Sequence, residues 1–570
     1  IEDTAVAPER LPAYMKDFGK MLERLGLTCV YHAHISTGEL HLRPVLNLKE
    51  EKDRVLFRRV AEETAKLVKK HRGSLSGEHG DGRLRGEFIP LLFGEKVYGL
   101  MQETKVCWDP EGVFNARKIV NTPPMDTSLR YEVGDSNVTC HTYFDFSKEK
   151  GWLCAIEQCN GSGDCRKSYA FGGTMCPSFR ATREESHTTR ARANTLRELL
   201  ARPRTKKIYD QREILEVLDT CVSCKACKSE CPSNVDIARF KAEFLQQHYD
   251  VCGMPMKAYL IARLTEIQRL GSIFPWLYNA VVRNRVTGGI LKRILHFAPE
   301  RAIPTLYKTT LKHWLGRYRW KNKGTTVGKV FLFADEFTNY MDVEIGIKMI
   351  KLLDRLGYEV CIPKHVESGR TAISKGMLKV AKKVARKNVL LLKDAVSERI
   401  PLVGIEPSCI LSFRDEYPDL VGDDLKEETV KLGKNCLLYD EFFTREMRAG
   451  RIRAEQFTRQ PLKIILHGHC HQKSLASVEP SREMLSLPVN YSVEVIPSGC
   501  CGMAGAFGYE KKHYELSMKI GEQVLFPAVR DAGENVCISA PGTSCRQQIK
   551  DGTGKQALHP IEVLYEALQV

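Results

Sequence analysis

The 570-residue sequence holds no run of about twenty apolar residues, so no segment is expected to cross a membrane as a helix. It shows no leader with a basic start and an apolar middle. Its 20 cysteines are therefore read as reduced thiols and metal ligands rather than a disulfide framework. The expected location is the cytoplasm, with room for peripheral contact at the cytoplasmic face of the inner membrane. Acids are scarce in one place. Between Val251 and Lys323, only Glu266 and Glu300 stand against fourteen Lys/Arg, so +12 of the net +16 sits there. No nucleic-acid motif accompanies that charge, so nucleic acid is not expected as a partner. The chain starts with Ile1 rather than Met, and its opening reads as mid-domain sequence, so a piece of a longer chain is expected. At roughly 150 residues per domain, the length suggests three or four domains.

The most specific stretch is Cys221-Val-Ser-Cys224-Lys-Ala-Cys227-Lys-Ser-Glu-Cys231-Pro232. Its spacing is that of a ferredoxin loop, in which three nearby thiolates grip one 4Fe–4S cube and the fourth, before proline, reaches another. A zinc knuckle is the competing reading, but the closing Cys-Pro favours a cluster. A second set, Cys159, Cys165 and Cys176-Pro177, lies upstream. By cross-ligation, Cys176 completes the cube of Cys221, Cys224 and Cys227. Cys231 would then join Cys159 and Cys165 in a second cluster, one thiolate short. Cys154, a three-iron form or an empty site are the alternatives.

Before these loops, residues 12–25 have helical periodicity, residues 28–34 read as a strand and residues 52–71 as a charged helix. A Gly-rich loop follows over 73–85. His34 and His41 flank a turn, and Glu78 could complete a two-histidine, one-carboxylate divalent metal site. His79 would place a titratable base beside it. Structural strand-end histidines are the competing reading.

The order His34-x6-His41, then Glu78-His79-Gly-x-Gly, then Asn115-Ala-Arg-Lys118 resembles the C-terminal half of FAD-linked oxidases acting on D-2-hydroxy acids. These have the vanillyl-alcohol-oxidase fold. The resemblance implies His34, His41 and Glu78 as ligands of a divalent metal (Zn, Mn or Fe). It implies His79 as the base, Arg43 and Arg85 as carboxylate-binding residues, and Asn115 and Lys118 near the FAD. Ser36, Thr37 and Glu39 depart from the family motif, and Ala116-Arg117 stand where the family has Pro-Gly. The half that carries most flavin contacts lies upstream of this motif in the family and is absent here. The run over 182–197, with the cysteines around it, resembles dehydrogenases in which flavin and iron–sulfur domains are fused.

Residues 251–323 carry three of the five tryptophans (Trp276, Trp314, Trp320) and two short basic amphipathic stretches, 290–297 and 311–320. Such helices can lie in an anionic membrane interface. A helical arm packed round the clusters is the preferred expectation.

The last region reads as two similar α/β halves with parallel strands. Cys409 and Cys545 are 136 apart, and Cys361 and Cys500 are 139 apart. Cys470, Cys500-Cys501-Gly502 and Cys545 resemble the CCG domain of heterodisulfide reductase and glycolate oxidase iron–sulfur subunits. That implies a cluster held by some of Cys409, Cys470, Cys500, Cys501 and Cys545. The expected fold is multidomain α+β and α/β. Residues 1–135 would be an incomplete FAD-linked oxidase domain, 136–325 an α-helical 4Fe–4S ferredoxin domain with a basic arm, and 326–570 a duplicated CCG domain. The expected function is oxidation of a D-2-hydroxy acid (D-lactate or D-2-hydroxyglutarate), with electrons passing from FAD through the clusters to a quinone or an electron-transfer protein. The alternative is an iron–sulfur electron-transfer subunit serving a separate flavoprotein.

Overall fold

The computed structural model describes residues 2–132, 141–202, 208–320 and 326–569. Two compact units form, residues 1–137 and 138–570. The expected boundaries at 135 and 325 lie outside the described residues.

In the first unit, three antiparallel strands form a sheet in the order β1 (Glu2–Ala5), β3 (Glu39–Pro44), β2 (Cys29–His34). The hairpin register sets His34 opposite Glu39 and His32 opposite His41. Side chains alternate along a strand, so Glu39, His41 and Arg43 share one face with His32 and His34. Leu40 and Leu42 point the other way and are buried. They meet the helix Leu11–Leu25, whose buried face is Tyr14, Phe18, Met21 and Leu22. Proline near its start and left-handed Gly26 after its end bound that helix. The helix Glu51–Lys70 adds Val60, Ala61, Ala65 and Val68 to the same core.

The second unit combines a helical portion with two parallel sheets. In the first sheet, β4 (Gly328–Phe333) lies between β5 (Tyr358–Cys361) and β6 (Leu402–Gly404), with β7 (Cys436–Leu438) beyond β6. In the second, β8 (Leu462–Leu466) lies between β9 (Tyr491–Val495) and β10 (Val536–Ser539). In each sheet the first strand in sequence is thus an interior one. Val330, Leu332, Ile464 and Leu466 enter one shared core, as fully covered parallel strands require. The helical portion is not a separate body. Trp152, Phe240 and Cys176 pack in one core with Ala372, Cys500 and Phe507.

The basic segment is a packed arm only in part: Leu311 is buried and Trp314, Leu315, Tyr318 and Trp320 pack against the core shared by the two sheets, whereas most of the rest of the segment is uncovered. Its helices Met256–Ala262, Leu264–Gly271, Pro275–Arg283 and Arg285–Ile294 leave Leu270, Ile273, Phe274, Trp276, Val286 and Ile294 each more than half exposed.

Candidate functional site

On the polar face of the first sheet, His34, Glu39, His41 and Glu78 bring ligand atoms within 4.8 Å of one another. His41 Nε2 is 3.6 Å from both Glu39 Oε1 and Glu78 Oε1. His34 Nε2 is 4.0 Å from Glu78 Oε1, and His79 Nε2 is 3.0 Å from that same oxygen. Glu39 Oε1 and His41 Nδ1 are buried without a hydrogen-bond partner. Burial, together with Asp3 and Glu78 nearby, raises the Glu39 carboxyl above its ordinary range. Two imidazoles and two carboxylates that crowd and lack donors fit a divalent cation.

The Gly-rich loop is held by a residue the sequence did not single out. A bulge in β1 puts Asp3 at φ 82° and turns its carboxylate under the loop. Its oxygens accept the N–H groups of Gly77 at 3.0 Å, Glu78 at 2.9 Å and His79 at 3.1 Å, and the Ser76 hydroxyl. Burial pushes this carboxyl up, but the hydrogen bonds from Ser76, Glu78 and His79 outweigh it and hold Asp3 at about 2, against an ordinary 3.8. A carboxyl with a lowered folded-state value stabilises above its ordinary value and loses that contribution as pH falls through the folded one. Asp3→Ala is expected to destabilise this unit by about 1–3 kcal/mol, because the Glu78 and His79 amides lose their acceptor, while the Gly77 N–H keeps the backbone carbonyl of residue 3 at 2.8 Å. Hydrogen exchange at the Glu78 and His79 amides checks it. The wild-type loop should loosen only as pH drops from about 4 toward 2, and the variant loop should be loose throughout.

The two expected carboxylate-binding arginines are engaged within the unit. Arg43 pairs with Glu2 at 2.6 Å. Arg85 donates to the Gly80 carbonyl at 2.9 Å and to the Glu2 carbonyl. Asn115 lies exposed in the left-handed region at φ 47°. The Ile119 N–H bonds the Gly82 carbonyl at 2.8 Å, tying the Asn115–Lys118 segment to the Gly-rich loop.

In the second unit, Cys221, Cys224 and Cys227 are buried around a turn in which Ser223 and Lys225 take positive φ, 51° and 66°. Such non-glycine strain is stored where a site requires it. Burial, with Cys470, Cys176 and Cys227 nearby, pushes the Cys224 thiol well above its ordinary range. Cys227 rises likewise, through burial and through Asp236, Cys221 and Cys176. Cys176 thus lies near this set. Burial also pushes Cys176 up, but the Arg192 guanidinium beside it wins and holds that thiol low. Arg192 is itself buried. It donates to Cys176 Sγ at 3.2 Å, to Ser178 at 3.0 Å, to Thr220 at 2.8 Å and to the Val217 carbonyl at 3.1 Å. Four buried thiols beside one fixed cation fit an anionic cluster.

Glu230 joins the two cysteine loops by accepting the Thr174 N–H at 2.8 Å and the Met175 N–H at 3.0 Å. Cys159 and Cys165 lie close together, and Cys165 accepts the Arg190 N–H at 3.4 Å. Cys231 is half-buried at the end of the helix Ala226–Glu230, and Cys154 is half-buried in the helix Trp152–Glu157.

Among the C-terminal cysteines, all free thiols, Cys470 lies beside Cys500, and Cys501 beside both Cys500 and Cys545. Cys409 converges instead with Asp335 and Glu336. Since Cys224 also feels Cys470, a line of thiols runs from the ferredoxin loop to the ends of the second sheet.

Residues 1–119 match the family described as FAD linked oxidases, C-terminal domain, and residues 158–236 match the 4Fe-4S dicluster domain. The chain is similar to the fused flavin/iron–sulfur dehydrogenases. The D-2-hydroxyglutarate dehydrogenase of Escherichia coli is 26% identical over all of this chain and 58% of its own length. That of Pseudomonas putida is 29% identical with the same coverage. One subunit of the anaerobic glycerol-3-phosphate dehydrogenase of Escherichia coli is 26% identical over 59% of this chain and 83% of its own length. The chain therefore spans 58% of the length of the two D-2-hydroxyglutarate dehydrogenases.

Sequence reasoning missed Glu39, which joins His34, His41 and Glu78 in the candidate ligand cluster, although its alternation with Leu40 and Leu42 placed it beside His41. It also missed Lys225. That side chain is buried with its ammonium 3.0 Å from Asp236, 2.8 Å from Asp415 and 3.4 Å from Glu416. Lys225 lies between two cluster cysteines, so this network clamps the loop to the α/β portion. No local signal in the ferredoxin spacing points to acids nearly two hundred residues away.

Proposed function

We propose that this chain is the substrate-metal and electron-carrying part of a flavin-dependent D-2-hydroxy acid dehydrogenase, with D-2-hydroxyglutarate as the first substrate to test. The observation that carries this reading is the convergence of His34, Glu39, His41 and Glu78, with the His79 imidazole 3.0 Å from Glu78.

His34, Glu39, His41 and Glu78 would hold a divalent cation, which when bound supplies positive charge to a substrate hydroxyl and carboxylate. The His79 imidazole, its Nε2 3.0 Å from Glu78 Oε1, is the group that would accept the hydroxyl proton. Asp3 fixes the backbone on which that imidazole is carried. Asn115 and Lys118 would lie near the FAD, which would supply a hydride acceptor. Cys176, Cys221, Cys224 and Cys227 would hold a 4Fe–4S cube that takes electrons one at a time, with Arg192 balancing its charge. Cys159, Cys165 and Cys231 are the ligands proposed for a second cluster. The two parallel sheets, each opening with an interior strand, support a duplicated CCG unit.

The test is anaerobic reduction of the full-length protein by a panel of D-2-hydroxy acids, followed optically and by EPR. Stoichiometric flavin and cluster reduction by one acid supports the reading. Clusters reduced only by an added flavoprotein would favour the electron-transfer subunit.

The acceptor end involves the exposed basic helices. Among the described residues no helix is long and apolar enough to cross a membrane. Phe274 and Trp276 stand exposed within a segment of +12 charge, which suits the interface of an anionic bilayer, where each Lys/Arg near the surface contributes about 1 kcal/mol. Co-sedimentation with anionic vesicles is expected at low salt, weaker at high salt and weaker again for Trp276→Ala. Equal binding to neutral vesicles, or none at low salt, would remove the membrane from this reading.

A further inference from the structure

Lys225 directly follows Cys224 in the ferredoxin loop, at φ 66°, a left-handed backbone that suits glycine. The position carries a long cationic side chain instead and buries it, leaving Lys225 2% exposed. Its ammonium lies 3.0 Å from Asp236 Oδ2, at the start of the helix Ile237–Cys252. It also lies 2.8 Å from Asp415 Oδ2 and 3.4 Å from Glu416 Oε1, both in the α/β portion. Two further cations close the network. Arg370 pairs with Glu416 at 2.6 Å, and the half-exposed Lys228 pairs with Asp415. Asp236, Asp415, Glu416 and Arg370 are all buried. Three carboxylates thus face three cations.

Stability alone is a poor account of this set. Taking such charges out of water costs about as much as their attraction returns, and apolar side chains of the same volume commonly serve as well. The origin of the partners points elsewhere. Arg370 lies in the helix Arg370–Ser374 between β5 and β6, and Asp415 and Glu416 lie between β6 and β7. All three belong to the half of the chain that builds the first sheet. At the second sheet, Cys470, Cys500, Cys501 and Cys545 gather. At the first, Cys409 stands with Asp335 and Glu336. What the first half brings to the ferredoxin loop is charge.

We infer that Lys225 is a positioning residue for electron transfer: its fixed charge sets the reduction potential of the cube on Cys176, Cys221, Cys224 and Cys227, and the first α/β half supplies the counter-charges that hold it there. This rests on the electron-carrying reading above. In the step concerned, one electron enters from the reduced flavin, no bond forms or breaks, and the negative charge on the cube and its thiolates rises by one. A buried ammonium beside the loop favours that more negative state, and buried carboxylates oppose it. Neither is screened as it would be in water. Because the six groups balance, deleting one charge moves the potential in a direction fixed by its sign.

The test is an EPR-monitored redox titration of the full-length protein under anaerobic conditions. Lys225→Met should make the cube harder to reduce, by about tenfold in the reduction equilibrium, which is about 59 mV for a one-electron couple. Lys225→Arg keeps the charge and should lie nearer to wild type. Asp415→Asn keeps the shape and removes a negative charge, so it should shift the potential by a similar amount the opposite way. Asp424→Asn removes an exposed acid paired with Arg386 and should shift nothing. If Lys225→Met assembles no cube, Asp415→Asn and Lys228→Met decide by the same signs. Damage to the loop would move the acid and lysine variants in one direction. That result, or an intact cube with unmoved potentials, would overturn this inference alone. A wild-type protein without a reducible cube would overturn the electron-carrying reading and this inference together.

Discussion

His79→Gln in the full-length protein is expected to lower turnover of a D-2-hydroxy acid by about 10²–10⁴-fold, the usual worth of a positioned general base. The imidazole is exposed, its Nε2 lies 3.0 Å from Glu78 Oε1, and its backbone N–H donates to Asp3 at 3.1 Å. Glutamine keeps a polar group of similar reach but cannot take a proton at neutral pH. KM should therefore change little while kcat falls. Metal content should also hold, because the cation would rest on His34, Glu39, His41 and Glu78. A variant that loses its metal along with its rate would mark His79 as a ligand, and near-normal turnover would exclude it as the base. Glu39→Asn, by contrast, should lower metal content first.

Cys227→Ser carries the second large effect. Its thiol is buried among Cys221, Cys176 and Asp236, and a serine hydroxyl is a poor ligand for iron. The 4Fe–4S EPR signal of the reduced protein should disappear, and electron delivery to the final acceptor should stop. Flavin reduction by substrate in a single turnover should survive, since that step precedes the cluster. Loss of both half-reactions would show a folding defect instead, and an unchanged spectrum would remove Cys227 from the ligand set. Arg192→Leu is the finer companion. It strips the guanidinium that donates to Cys176 Sγ and should make the cluster harder to reduce, lowering its potential.

How much of this was legible depends on whether the signal was local. The Cys221–Pro232 spacing and the His34–His41 hairpin are set by neighbouring residues, so the sequence displayed them. The helix expected over 12–25 is found at Leu11–Leu25 for the same reason, since an amphipathic stripe is a local pattern. Asp3 is different. Its role depends on a bulge that turns it toward amides more than seventy residues later, and no periodicity encodes that. Lys225 looked like filler between cysteines, and only tertiary folding brings Asp415 and Glu416 to it. The basic arm shows the opposite limit. Its apolar positions were legible, but whether another element covers them is a property of the whole fold.

The hairpin of β2 and β3 binds chemistry to folding. The same alternation that aims Glu39, His41 and Arg43 at the metal face sends Leu40 and Leu42 into the core. Deleting a single residue from β3 would exchange the two faces, burying imidazole and carboxylate while exposing the leucines. Mutational tolerance there should therefore be all-or-none. Variants selected only for catalysis will carry an intact core, and screens for stability alone will also recover the site's geometry.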